Sequence, residues 1–304
     1  MKKVIDCHAH LGDISWGKNV IWKQGVEQHD FPNPLKSHED SGFIEPLLSN
    51  MDDFPELLQA TYRLLDENTL ENLSKTLDRG GITYIVMLPI HPFITFEEIL
   101  AASKLETRII PFTSVDFSQS ISQIIAKLKS DVKKGARGLK LHPVVQYVSL
   151  SDPKVHAAVE TMASYNMPTL SHCGINDYYI GESPYPRNPE FGNFEYFVKL
   201  CHAYPNAKLV AGHAGGLLGG EMEILAEKTK GLKNVYVDTS FRPAAGIIQA
   251  VELFGRDRVM FGTDHPFSTQ AGGLREIRKA CANDQELEDM IVFQNAADLL
   301  GVYH

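Results

Sequence analysis

Positive charge is in the minority along this chain. Twenty-nine Lys and Arg stand against 38 Asp and Glu, a formal net charge of −9 over 304 residues. No Lys/Arg cluster builds the basic face that a nucleic-acid binder needs, so nucleic acid is not an expected partner. Cysteine is scarce. Cys7, Cys173, Cys201 and Cys281 are scattered and form no CxxC pair, which excludes a disulfide framework and points to reduced thiols, the small buried kind. Long apolar runs are missing as well: no stretch approaches the roughly 20 residues of a membrane helix. The opening "MKKVIDCHAH" places an aspartate and two histidines where a signal peptide needs its apolar region. The expectation is a cytoplasmic protein with a small-molecule substrate and no membrane partner. Low-complexity tracts are also lacking, and 43% of residues are apolar, enough for a large core.

What the chain does have is regular alternation. Short apolar, β-rich runs occur at 3–10, 82–90, 108–116, 137–143, 168–174, 208–216, 234–240 and 258–267. Amphipathic segments separate most of them; "SQIIAKLKSDVKKG" puts Ile124, Ile125, Leu128 and Val132 on one helical stripe. Gly135, Gly231 and Gly255 read as helix stops. From the second run onward, strand starts recur every 24 to 40 residues, the spacing of β/α units. Eight such units predict an α/β fold of the (β/α)8 TIM-barrel class, one domain over 1–304, with an open doubly wound sheet as the alternative. Two intervals are long. Residues 11–52, an insertion after the first strand, carry both tryptophans, Trp16 and Trp22; residues 175–192 after the fifth strand are rich in Tyr, Pro and Gly. Both read as lids. Residues 284–300 read as a terminal helix closing the barrel.

Active sites in such barrels lie where strands end. The first predicted strand ends in His8 and His10, the second in His91, and the third in Asp116. The fourth gives Lys140 and His142, the fifth His172, the sixth His213, the seventh Asp238, and the eighth Asp264 and His265. Seven of the twelve histidines thus sit at or just past strand exits, a concentration that core packing explains poorly. Residues i and i+2 of a strand share a face, so His8 and His10 can both point into the barrel mouth. Imidazoles with a carboxylate suit Zn²⁺, Fe²⁺ or Mn²⁺, and three or four protein ligands leave a place for water.

"DCHAH", "GLKLHP", "SHCG", "AGHAGG" and "FGTDHPF" occur in this order at successive strand ends, followed by "NAADLLG". The set resembles the amidohydrolase superfamily over essentially the whole chain. The likeness is greatest to the branch that includes metal-dependent hydrolases and aminocarboxymuconate-semialdehyde-type decarboxylases. The resemblance implies a distorted TIM barrel holding one divalent metal, zinc first with manganese or iron as alternatives, on His8, His10, His172 and Asp264. It implies that His213 is an acid/base group rather than a permanent ligand, with Asp264 a proton shuttle. Dimers are common among relatives.

Other residues are open between roles. Lys140 is a substrate contact, a buried ion pair, or the carboxylated lysine that some members of the superfamily carry on this strand. His142 is a pocket residue before the bend at Pro143, and His91, between two prolines, a rim contact. His265 should point away from Asp264. Trp16, Arg187 and Arg242 are candidate substrate contacts, the arginines as bidentate partners of a carboxylate. Two chemistries compete: hydrolysis of a small carboxylate-bearing amide, lactone or ester, and non-oxidative decarboxylation of an aromatic or muconate-like acid. A scaffold without catalysis should have lost at least one of the five motif positions, and all five are intact.

Overall fold

A computed structural model describes residues 2–28, 54–176, 179, 183–216 and 220–302. Much of the 11–52 insertion, together with part of the 175–192 loop, lies outside the described residues. All eight expected strands are present: β1 (Ile5–Ala9), β2 (Tyr84–Met87), β3 (Ile109–Pro111), β4 (Leu139–Leu141), β5 (Thr169–Ser171), β6 (Leu209–Ala211), β7 (Val235–Asp238) and β8 (Val259–Met260). Each pairs in parallel with the next in sequence within two arcs, β1-β2-β3 and β4-β5-β6-β7-β8. The sheet of the expected (β/α)8 barrel is thus divided into two arcs. At the two seams regular pairing gives way to isolated bridges, Ala9 with His265 and Thr113 with Leu139.

Helices follow the strands: α1 (Phe54–Asp66) and α2 (Leu70–Gly80) before β2, α3 (Phe96–Leu105), α4 (Ile121–Lys134), α5 (Pro153–Ser164), α6 (Phe194–Ala203), α7 (Glu221–Lys228), α8 (Ala244–Phe254) and α9 (Gln270–Ala280). Their ends follow from local chemistry. Ser120 and Gln123 form a reciprocal capping box at the start of α4, and Gly135 ends it in the left-handed region at φ 115°. Gly255 caps α8, whereas Gly231 lies in the turn beyond Thr229, the cap of α7. None of the helices among the described residues is long and apolar enough to cross a membrane.

The strands bury two faces. Outward residues such as Leu139, Leu141, Leu209, Ala211, Val235 and Val237 pack against helices. Ile5, Cys7, Val86, Ile110, Phe112, Leu170, Val210 and Met260 form an interior layer with Ala296, Ala297, Leu299 and Leu300. The last four belong to α11 (Asn295–Leu300), which follows α10 (Gln285–Asp289) through a π-helical turn, and this helix seals the barrel end as the sequence suggested. In β1, Ile5 and Cys7 share that interior layer while Ala9 packs with the outer cluster. Regular alternation forbids this. The register shift between Asp6 and Ala9 changes faces in mid-strand, and it turns His8 and His10 inward above Cys7.

Asp6 anchors that irregular strand to the β8 exit. Fully buried, it accepts from His8 N (3.2 Å), Thr263 N (3.0 Å), Thr263 Oγ1 (2.6 Å) and Gln270 Nε2 (3.1 Å). An Asp6→Ala change strands these donors at about 1–3 kcal/mol for each left unpaired. A thermal melt should show the midpoint lower by roughly 10 °C; an unchanged midpoint would assign Asp6 no anchoring role.

Candidate metal centre

Three side chains converge where β1 meets the β8 exit. His8 Nε2 and His10 Nε2 lie 3.3 and 3.2 Å from Asp264 Oδ1, and all three residues are buried. Backbone bonds clamp the two segments together: Asp264 N donates to His8 O at 2.7 Å and His10 N to His265 O at 2.7 Å. Glycine permits the close approach. A Cβ on Gly262 would stand 3.0 Å from the Cβ atoms of both Asp238 and His8, and one on Gly212 would stand 3.2 Å from His8 Cε1. Asp264 itself has left-handed backbone, φ 59°, a conformation aspartate tolerates better than most residues.

Where the protons sit follows from the partners. His8 Nδ1 donates to Asp238 Oδ2 at 2.9 Å, and His10 Nδ1 to the Leu88 carbonyl at 2.8 Å. In the neutral form of each ring Nε2 is then a lone pair aimed at Asp264. Asp264 Oδ1 is buried and has no hydrogen-bond partner. Against the cost of burial, His8, His10 and His213 in their protonated forms hold its carboxyl well below the usual range, so it is an anion. Burial, opposed by Asp264, pushes His10 down to about 4. Three electron-pair donors thus face one another, and this donor set fits a divalent cation of the zinc, manganese or iron kind.

Two further imidazoles adjoin it. His213 Nε2 is 3.9 Å from Asp264 Oδ2 and 3.0 Å from His172 Nδ1. His172 Nε2 lies 3.2 Å from the Gly174 carbonyl, which can only accept. His172 Nδ1 is then the lone pair of its ring, and it stands within hydrogen-bond distance of His213 Nε2. Burial lowers both rings, His213 to about 3. His142 stacks on His172, ring centroids 4.2 Å apart and planes at 4°. Lys140, 1% exposed, is the cation among these groups, with Nζ 3.1 Å from His8 Nε2; burial, opposed by Asp264 and Asp238, brings it down to about 8.

The remaining candidates lie further out. Half-buried His91 sits on the rim, its backbone N–H on Ser114 Oγ at 3.3 Å. Arg242 donates from one terminal nitrogen to the carbonyls of His213 and Gly216, and so holds the turn in which His213 and Ala214 adopt φ 57° and 49°. Trp16 stands edge-on to Tyr62 and Tyr179 at 5.7 and 5.1 Å, on a turn tied by Asp13 Oδ1, which accepts from Ser15 N and Trp16 N. Tyr179 Oη donates to Ser15 O at 3.0 Å, and Arg187 holds the Tyr179 carbonyl at 3.0 Å. The two long loops therefore meet through aromatic rings on the face where the strands end. His265 faces away, lining a cavity of about 360 Å³ with Asn68 and Gln270. Asp238 and Ser240 were not singled out by sequence reasoning as working residues; "VDTS" at the β7 exit is the signal that marks them.

The family model described as Amidohydrolase matches residues 5–302. The chain belongs to the amidohydrolase family. No curated protein matches it by sequence. Among solved structures, this amidohydrolase is similar to 5-carboxyvanillate decarboxylase from Sphingomonas paucimobilis, with TM-score 0.65 and 13% identity over 100% of both chains. It is also similar to a "probable 2-pyrone-4,6-dicarboxylic acid hydrolase" from Acinetobacter baumannii, with citric acid bound, at TM-score 0.62 and 14% identity over 98% of this chain and 99% of that one. A third is the 5-carboxyvanillate decarboxylase of Novosphingobium aromaticivorans with bound manganese, at TM-score 0.64 and 14% identity over 99% and 97%. These likenesses establish the shared TIM-barrel fold. Family members are metal-dependent hydrolases or decarboxylases, and this amidohydrolase carries a His/His/Asp group of matching chemistry.

Proposed function

We propose that the protein is a metal-dependent hydrolase of a small carboxylate-bearing lactone, amide or ester, with His8, His10, His172 and Asp264 holding the metal and His213 acting as the base. The observation that carries this reading is the proton inventory. The rings and carboxylate at the site present lone pairs, arranged to accept protons rather than to give them. A divalent cation held there supplies Lewis acidity, which lowers the pKa of water from 15.7 towards about 7.

The chain's own groups do the rest. Asp264 Oδ2 and His213 Nε2, 3.9 Å apart, can both accept from one water standing beside them. As that water attacks the substrate carbonyl, His213 Nε2 takes its proton and returns it to the departing oxygen or nitrogen. Lys140 supplies buried positive charge for a substrate oxygen, and His142 braces His172 by stacking. Trp16, His91 and Arg187 shape the entrance, with Arg187 also ordering the loop that carries Tyr179. Arg242 serves the reaction through the His213 turn.

A second reading is non-oxidative decarboxylation. The Trp16, Tyr62, Tyr179 and Tyr185 cluster suits a planar acid, and two of the structures described above are named as decarboxylases of one. The test is a panel of lactones, amides and aromatic carboxylates turned over in ¹⁸O-water. Solvent oxygen in the product supports hydrolysis; CO₂ release without it overturns that reading in favour of decarboxylation.

The lowered imidazoles also set a pH dependence. His10 keeps its lone pair down to about pH 4, whereas one ordinary imidazole would lose about 30-fold in metal affinity between pH 7 and pH 5. Zn²⁺ affinity measured by chelator competition should therefore show no titration of His10 over this range. It should rise again above about pH 8, where Lys140 sheds the charge that opposes the cation.

A further inference from the structure

We propose that Asp238 and Ser240 are positioning residues that jointly fix the orientation and tautomer of two imidazoles, His8 and His213. This inference rests on the metal-site reading above only for its affinity readout. Asp238, 1% exposed at the end of β7, receives four donors. His8 Nδ1 donates to Oδ2 at 2.9 Å, and Oδ1 takes His213 N at 3.3 Å, Ser240 N at 3.0 Å and the Ser240 hydroxyl in a short hydrogen bond.

A hydroxyl has one proton to give. Ser240 gives it to Asp238, so at its 2.8 Å contact with His213 Nδ1 the hydroxyl must accept. His213 is thereby protonated at Nδ1, and in the neutral ring Nε2, 3.0 Å from His172 Nδ1, is the lone pair. His8 is set in the same sense by the other oxygen of the same carboxylate. One anion therefore aims two Nε2 lone pairs into the barrel mouth, directly for His8 and through a hydroxyl for His213. The two rings stack with centroids 5.0 Å apart.

Only a carboxylate can do this. An amide offers one accepting oxygen and one donating nitrogen, so Asp238→Asn must present N–H either to His8 Nδ1 or to the Ser240 and His213 donors. One of the two rings then loses its partner or reverses its tautomer. Ser240→Ala separates the two branches: it removes the hydroxyl link to His213 and leaves the His8 bond untouched.

The test combines Zn²⁺ affinity by chelator competition with ¹⁵N NMR of histidine-labelled protein, His213 being assigned from its absence in His213→Gln. In Ser240→Ala we expect Zn²⁺ affinity within about threefold of wild type, while His213 loses its single Nδ1–H tautomer. Ser240→Thr, which restores a hydroxyl, should restore that tautomer. Asp238→Asn should weaken Zn²⁺ binding by about 10–100-fold and disturb both rings. An unchanged His213 tautomer in Ser240→Ala would overturn the proposal, as would unchanged affinity in a folded Asp238→Asn variant. Absence of Zn²⁺ binding in the wild type would instead refute the metal reading, and the tautomer measurement would still decide this one.

Discussion

Replacing Asp264 with asparagine is expected to weaken divalent-metal binding by more than about 100-fold, beyond the 10–100-fold typical of groups that only orient a ligand. The expectation follows from charge. Asp264 is the anion in contact with both His8 and His10, and Lys140 stands 3.1 Å from His8 Nε2. Without that anion a cation meets neutral imidazoles and a neighbouring ammonium in a buried place, where desolvation is not offset. Asparagine keeps the shape and, like aspartate, accepts the left-handed backbone at φ 59°, so the effect reads charge rather than fold. Thermal melts separate the two. Metal at about 100 times its Kd stabilises the wild type by about 2.7 kcal/mol, and the variant should show no such shift. Its metal-free melting point should fall modestly, because a carboxyl held well below its usual range stabilises the folded protein as the anion. A fall in metal-free stability together with a retained metal shift would make Asp264 structural.

His213→Gln should behave in the opposite way. Turnover of the substrate found by the panel should drop by about 10²–10⁴-fold, the range for loss of a general base, while metal affinity stays within a few fold. Two features carry this prediction. His213 Nε2 is 3.9 Å from Asp264 Oδ2, farther than His8 Nε2 and His10 Nε2 are from Oδ1. Its ring is held from behind by Ser240, and its turn by Arg242. Equal losses of metal and turnover would move His213 from base to ligand. Rates that stay at wild-type level would remove it from the reaction.

Much of this arrangement could be read from letters. Period and spacing placed eight strands, and histidines gathered at their exits because a barrel delivers strand ends to one face. His8, His10, His213, Lys140 and Asp264 do meet there. Less legible was anything that depends on a break in regularity. The shift between Asp6 and Ala9 decides which way His8 points, yet "IDCHA" contains no glycine or proline to announce it. Of the two seams that interrupt the ladder, one lies beside β8, a strand of two residues, although the apolar run there is much longer. Asp238 looked like one more exit carboxylate; its four donors come from β1, the β6 turn and Ser240, and such a convergence has no spacing signature. Arg242 resembled a free substrate clamp until its guanidinium was found on the His213 and Gly216 carbonyls. A lid-like insertion can be inferred from loop length, whereas the contact between Trp16 and Tyr179 joins residues 163 positions apart and requires the fold.

The central claim is that one cation belongs among His8, His10 and Asp264. Crystals grown with Mn²⁺ and measured near the manganese absorption edge test it most directly. The account predicts a single strong anomalous peak about 2.0–2.3 Å from His8 Nε2, His10 Nε2 and an Asp264 carboxylate oxygen, with His172 turned to meet it. A peak bound by other residues, or none in protein that is folded and saturated with Mn²⁺, would contradict it.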